Sequence, residues 1–256
     1  MKLDKRTVGL ASGVIGIILL LFLALVILKG PSDGVVSPTA IPSSISLNNP
    51  EAKATIDLFV MSQCPYGTMA EAEVSAVLAK FGSDVNLNLH YVVTETAPGS
   101  FQSLHGQPEV DEDARQLCIK KYYPEKLLGY LGCVNSNYQN AESLWSDCAS
   151  RLSIDTSKIT ACATGAEGKQ LLSAEAKLSF EKQVTASPTF FVNGAAYESS
   201  WDERTLTHNL CALIPESETC QNLPEEPQVN LLIVSDENCE ACDTTVLEEQ
   251  FKQMFF

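Results

Sequence analysis

Over forty residues the apolar period changes twice, and no other feature constrains the fold of this chain as strongly. ATIDLFVM (54–61) is a short, apolar, β-branched run of the kind that forms a central strand. From Thr68 to Phe81 the apolar positions Met69, Val74, Leu78 and Phe81 recur at helical intervals, and Gly82 stops the helix. VNLNLHYVV (85–93) then alternates, with Val85, Leu87, Leu89, Tyr91 and Val93 on one face and Asn86, Asn88 and His90 on the other. That is a second strand. Strand, helix and strand in so short a span make a parallel βαβ unit with a right-handed crossover, so the fold class is α/β.

The next ninety residues read differently. After a loop with Pro98, Gly99, Gly106 and Pro108, residues 111–180 have apolar residues at three- and four-residue spacing in segments near 111–121, 125–133, 139–151 and 166–180. This is a helical insertion, and it carries Cys118, Cys133, Cys148 and Cys162. Four cysteines allow three pairings. The shortest link joins the end of one helix to the next helix of a hairpin, Cys133 to Cys148. The strand pattern resumes at SPTFFVNGAAYESSW (187–201), where Asn193-Gly194 is a hairpin signal. Ser200 or Asp202 can cap a closing helix over 202–213. Cys211 and Cys220 are placed to staple that helix to the loop after it.

Both ends of the chain add expectations. A basic start with Lys2, Lys5 and Arg6 precedes twenty charge-free residues, Val8 to Ile27. At about 1.5 Å per residue such a run reaches about 30 Å, the thickness of a bilayer core. It is longer than a cleavable signal region and lacks a small-x-small exit, so residues 1–29 read as an uncleaved signal anchor, a single transmembrane helix. The basic flank places the remainder of the chain outside the cytoplasm, in a periplasmic, extracellular or lumenal space. Residues 30–52, rich in Pro, Ser and Gly, read as a flexible linker. At the other end, VNLLIVSDENCEACDTTVLEEQFKQMFF repeats the opening layout of strand, cysteine and helix, so 228–256 reads as the start of a second similar domain, cut short.

The formal charge is −15, and the first 29 residues are themselves basic. So acidic a remainder repels nucleic acid, which removes that class of partner. All nine cysteines come after the apolar segment, which favours disulfides over metal. His90, His105 and His208 sit beside no cysteine, and Cys239–Cys242 would be only half of a zinc site. No metal and no cofactor are expected.

The order of strand, Cys-Pro at a helix start, helical insertion, then Ser-Pro-Thr-Phe-Phe-Val-Asn-Gly and a closing helix resembles the thioredoxin-like superfamily in its DsbA-like branch. The marks are FVMSQCPYG (59–67) and TASPTFFVNG (185–194). With LHGQPEVDEDARQLC (104–118), the insertion is also similar to the interferon-gamma-inducible lysosomal thiol reductases and to the lumenal thioredoxin-like module of plant vacuolar sorting receptors. The resemblance covers 54–220 within a domain placed at 53–222, and separately 228 to the end. It implies that Pro188 is cis, faces the active cysteine and helps hold the substrate through its backbone. It also implies two active-site thiols, yet Gly67 stands where the second belongs.

These readings assign roles. Cys64, in the first turn of a helix, is the candidate nucleophile, because unpaired N–H groups and the helix dipole favour thiolate. Cys239 and Cys242, three apart at a second helix start, are a candidate redox pair and the possible resolver of Cys64. Pro188, Tyr66 and Pro65 line the substrate groove, and Cys118, Cys133, Cys148, Cys162, Cys211 and Cys220 are structural disulfide candidates. The expected function is a membrane-anchored thiol–disulfide oxidoreductase, of reductase or isomerase type, acting on exported proteins or peptides with thiols or disulfides. That setting also offers a membrane redox partner. The alternative is a non-catalytic thioredoxin-like module that binds peptides or proteins. An exposed sulfur opposite Pro188 would favour the enzyme, and a sulfur bonded to Cys118 or buried under the insertion would favour the binder.

Overall fold

The structure, a computed structural model, describes residue 47 and residues 49–223. Strand β1 (Ala54–Val60) pairs in parallel with β2 (Val85–Tyr91), and helix α1 (Pro65–Phe81) makes the crossover between them. Strands β5 (Thr189–Val192) and β6 (Ala195–Ala196) complete a four-stranded sheet in the order β2-β1-β5-β6, with β5 antiparallel to β1. The turn between them places Asn193 and Gly194 at φ 50° and 79°, the left-handed geometry a two-residue hairpin requires. The Asn193 side chain also accepts from the Thr55 amide at 2.8 Å, fastening the hairpin to β1. Helix α7 (Glu203–Leu213) closes the unit; its N-cap is Asp202, which accepts from Thr205 N at 3.0 Å.

Between β2 and β5 lies a helical insertion. A small hairpin comes first, β3 (Thr94–Ala97) and β4 (Ser100–Gln102), where the sequence reads only as loop. Its residues are nearly all exposed, so no apolar alternation marks it. Helices α2 (Gln107–Tyr122), α3 (Leu127–Val134), α4 (Ala141–Arg151), α5 (Thr156–Thr164) and α6 (Ala166–Glu181) come next. Helix α5, absent from the sequence reading, is set by its cap: Asp155 accepts from the amides of Ser157 and Lys158. Disulfides join Cys118 of α2 to Cys162 of α5, and Cys133 of α3 to Cys148 of α4. A third joins Cys211 of α7 to Cys220 of a last short helix, α8 (Glu218–Gln221). One apolar core runs from Ile56, Leu58 and Val60 through Val74, Leu78, Leu87 and Leu89 into Leu117, Ile119, Leu127 and Ile159.

Two expectations about architecture need correction. Among the described residues no helix is long and apolar enough to cross a membrane. The longest, α1, has 17 residues, short of the roughly 20 a span needs. The segment proposed as an anchor, 8–27, lies outside the described residues. A transmembrane helix is therefore not part of the supported fold. Membrane anchoring, a membrane redox partner and a single-pass location with the C-terminal part outside the cytoplasm fall with it. Nor is a second thioredoxin-like module evident, since 228–256, with Cys239 and Cys242, also lies outside the described residues. What stands is a thioredoxin-like fold with a helical insertion.

Candidate active site

The C-terminal end of β1 delivers the chain into a tight turn, Met61 to Cys64, closed by Cys64 N donating to Met61 O at 2.9 Å. Cys64 is the N-cap of α1, and Pro65 at the first helical position sacrifices no hydrogen bond there. Its side chain does not cap the helix. The thiol instead donates to the carbonyl oxygen of Ser187, 3.4 Å away. Ser187 precedes Pro188 through a cis peptide bond. The fold thus brings Cys64 and the Ser187–Pro188 turn together across 123 residues of sequence.

Among the described cysteines Cys64 alone is free; the other six are paired. It is 8 % exposed. Beside it Pro65 and Tyr66 are exposed, Tyr66 at 63 %, and Pro188 is half-buried. Pro65 also opens a groove of about 680 Å³ between α1 and the insertion, lined by Met69, Glu71, Leu128, Leu131 and Asn135 among others.

Gly67 is explained by crowding. A Cβ built there would lie 2.6 Å from Ser187 Oγ, 3.1 Å from Met61 O and 3.4 Å from Cys64 Cβ. The Ser187 hydroxyl is itself held, accepting from Met61 N at 2.9 Å. The room a second thiol would need is therefore taken by a serine from the opposite loop.

Beneath the turn lies a feature the sequence reading missed, a set of buried acids on α1 and α2. Glu109, Glu112 and Asp113 are wholly buried, with the amide Gln116 beside them, and Glu71 is nearly so. Glu112 accepts from Arg115 Nε (2.7 Å), Gln116 Nε2 (2.9 Å) and Tyr130 Oη (2.8 Å). Burial pushes the Glu71 carboxyl up to about 8, against a hydrogen bond from Asn135 that lowers it. Burial likewise holds the Asp113 carboxyl well above the usual range, opposed by its hydrogen bond from Ser62. The neighbouring Tyr91 phenol is raised too, by burial first and then by the acids Glu71, Asp113, Glu175 and Glu112. The signal was present in the sequence: positions 109, 112, 113 and 116 fall on one helical face. A polar helical face of this kind ordinarily meets solvent.

His90 meets Glu175 at 3.0 Å and His105 meets Glu109 at 2.7 Å, so neither faces Cys64 as a base. Among the described residues no cluster of His, Cys, Asp or Glu could hold a metal ion.

Residues 55–152 match the model of the gamma interferon inducible lysosomal thiol reductase (GILT) family. No curated protein matches. Among solved structures, oxidised BdbD from Bacillus subtilis is similar at TM-score 0.52 and 14 % identity, covering 69 % of this chain and 95 % of that one. Oxidised DsbA from Mycobacterium tuberculosis is similar at TM-score 0.50 and 15 % identity, covering 70 % and 93 %. At such identities these likenesses speak to fold. With the match over residues 55–152, they show a thioredoxin-like fold that resembles the DsbA- and GILT-type oxidoreductases.

Proposed function

We propose that the chain is a thiol–disulfide oxidoreductase whose nucleophile is Cys64. One observation carries the reading: a free cysteine at a helix start, its sulfur 3.4 Å from the carbonyl before Pro188, in a domain whose other described cysteines are all paired. The Cys64 thiolate attacks one sulfur of a client disulfide. A bond forms between Cys64 Sγ and that sulfur, the client S–S bond breaks, and the departing sulfur leaves as thiolate to take a proton from water. A second thiolate then attacks the mixed disulfide and returns Cys64 to the thiol. Position 67 cannot supply it. A different thiol of the client, attacking the client sulfur, forms a new client disulfide, releases Cys64 and gives isomerisation. Reduction takes two external thiols, the first attacking Cys64 Sγ to release the client thiol and the second freeing Cys64 as the external disulfide forms. The Cys239–Cys242 pair would do the same and end as the disulfide. Pro65, Tyr66 and Pro188 border the path to the sulfur.

The competing reading, a binder without turnover, draws on the low exposure of Cys64 and its hydrogen bond to Ser187. Mixing the reduced protein with a peptide disulfide and trapping by acid separates the two. The oxidoreductase gives a mixed disulfide mapped to Cys64 by mass spectrometry and absent from Cys64→Ser. A Cys64 that stays free throughout sinks the proposal and leaves the binder.

A further inference from the structure

We propose that Glu109 and Asp113, on the insertion helix α2, are positioning residues that hold the Cys64 turn in place, so that the insertion sets the geometry of the thiol. The inference rests on the oxidoreductase reading of Cys64. The two residues directly before that cysteine are fastened from below. Ser62 N donates to Asp113 Oδ1 at 3.2 Å, and Gln63 N donates to Glu109 Oε2 at 2.9 Å. Ser62 Oγ donates to the Glu109 carbonyl at 3.3 Å. These amides belong to a turn between a strand and a helix, where neither element offers them an acceptor, and an unpaired buried amide is costly. The insertion supplies the acceptors.

Glu109 is a hub. The same carboxylate accepts from Ser103 Oγ and from the His105 amide at 3.3 Å, and contacts His105 Nδ1 at 2.7 Å. It therefore ties three segments to one point: the Cys64 turn, the stretch after β4 and the start of α2. Its place in the first turn of α2 suits a carboxylate by the helix dipole as well. Asp113, one turn further along, uses one oxygen on Ser62, while its Oδ2 is buried without a partner. Burial favours the protonated form of that carboxyl. Asparagine is nearly isosteric with that form and offers Ser62 the same acceptor. Alanine offers none.

On the other side of the turn Ser187 holds it, through Met61 N and the Cys64 thiol. Release from Glu109 or Asp113 lets the sulfur leave the Ser187 carbonyl. The thiol then becomes easier for a small reagent to reach and worse aligned for in-line attack on a large disulfide. These opposite signs distinguish positioning from simple loosening of the fold, which speeds both reactions.

The test uses the full chain with its disulfides intact, comparing wild type, Glu109→Gln, Asp113→Ala and Asp113→Asn. Both oxygens of Glu109 accept, so Glu109→Gln turns one acceptor into a donor, whereas Asp113 uses only one. Glu109→Gln and Asp113→Ala should each raise hydrogen exchange over residues 61–64 by about tenfold or more. Mixed-disulfide formation with a peptide disulfide should slow about tenfold, as misplacement of a reacting group does. Alkylation of Cys64 by iodoacetamide should rise about fivefold. Asp113→Asn should restore all three to within about twofold of wild type, the rescue expected of an acceptor role. Should Asp113→Ala fail to fold, Glu109→Gln and Asp113→Asn still decide. Unchanged exchange at 61–64 in Glu109→Gln overturns the inference, and so does normal mixed-disulfide formation despite opened amides. If the wild type itself forms no mixed disulfide, the oxidoreductase reading fails, and the amide and alkylation rates alone judge the clamp.

Discussion

Helices α1 and α2 both approach the Cys64 turn, and they are buried by opposite means. The inner face of α1 is Ala70, Val74, Val77, Leu78 and Phe81, set at helical spacing with Glu71 as its one buried acid. Helix α2 buries Val110, Ala114, Leu117 and Cys118 on one side and Glu109, Glu112, Asp113 and Gln116 on the other. The first kind of burial is non-directional and tolerates any side chain of similar size. The second depends on particular partners, and a half-satisfied polar network is worse than none. One helix can be repacked, whereas the other can only be kept or broken.

The sharpest way to break that contrast is Glu112→Leu. Arg115, Tyr130 and Gln116 lose a shared acceptor, and a buried guanidinium is left without its carboxylate, which should cost about 3–5 kcal/mol. On α1, Leu78→Met should cost less than about 1.5 kcal/mol. Urea melts of the two variants measure the difference. Equal losses would mean that the acid stripe behaves as ordinary packing.

The disulfides test the same asymmetry at the level of the chain. Both disulfides of the insertion link its helices, and they close loops of unequal length, 44 residues for Cys118–Cys162 against 15 for Cys133–Cys148. By loop entropy their removal should cost about 4 and about 3 kcal/mol, and that of Cys211–Cys220 about 2.5. Paired Cys→Ala variants should keep the signature of the sheet while α2 to α5 lose protection from hydrogen exchange. Collapse of the whole domain in one step would deny the insertion any separate identity.

How far the sequence was readable tracks the same division. The βαβ unit, the helical insertion and the thioredoxin-like resemblance were legible because apolar period and turn chemistry are local signals. Asn193-Gly194 announced its hairpin for the same reason. Helix α5 was missed because TSKITACAT has few apolar residues and draws its stability from the Asp155 cap and Cys162. The acids of α2 were missed because charge at helical spacing ordinarily faces water, and only tertiary structure supplies Ser62, Gln63, Arg115 and Tyr130 as partners. Gly67 was visible as a missing thiol. The reason it is glycine was not visible, because Ser187 lies far along the chain, in the loop before β5.

That crowding offers a smaller test. Gly67→Cys places a side chain where Ser187 Oγ already sits, and overpacking of this kind should cost about 1–3 kcal/mol. Combining Gly67→Cys with Ser187→Ala removes the obstructing oxygen. The double variant should therefore form a disulfide between Cys64 and the introduced thiol more fully than the single one. Its cost is the acceptor of Met61 N. Disulfide mapping under glutathione buffers reads the outcome. A single variant that oxidises as readily as the double one would show that Ser187 yields freely.

The last test reads a slope. Glu71, the one buried acid of α1, lies near Glu112 and receives Asn135, while its Oε1 has no partner. Its carboxyl is raised from an ordinary value of 4.5 to about 8. Below pH about 4.5 both folded and unfolded chains hold this proton, and it contributes nothing to the pH dependence. Between about 4.5 and about 8 only the folded chain holds it, so stability should fall as pH rises, by about 1.4 kcal/mol per unit for this one group. Above about 8 both forms have lost the proton and the slope from Glu71 ends. Asp113, raised in the same direction by the same cause, adds to the trend. Glu71→Gln keeps an acceptor for Asn135 and has nothing to titrate. Melting temperatures from pH 5 to 8 should therefore fall less steeply in Glu71→Gln than in wild type, with the largest gain at the alkaline end. Parallel curves would mean that Glu71 is already ionised in the fold, with water or a moved side chain satisfying Oε1. The buried face of α1 would then tolerate a charge, and its contrast with α2 would vanish at the one position where the two helices share an acid.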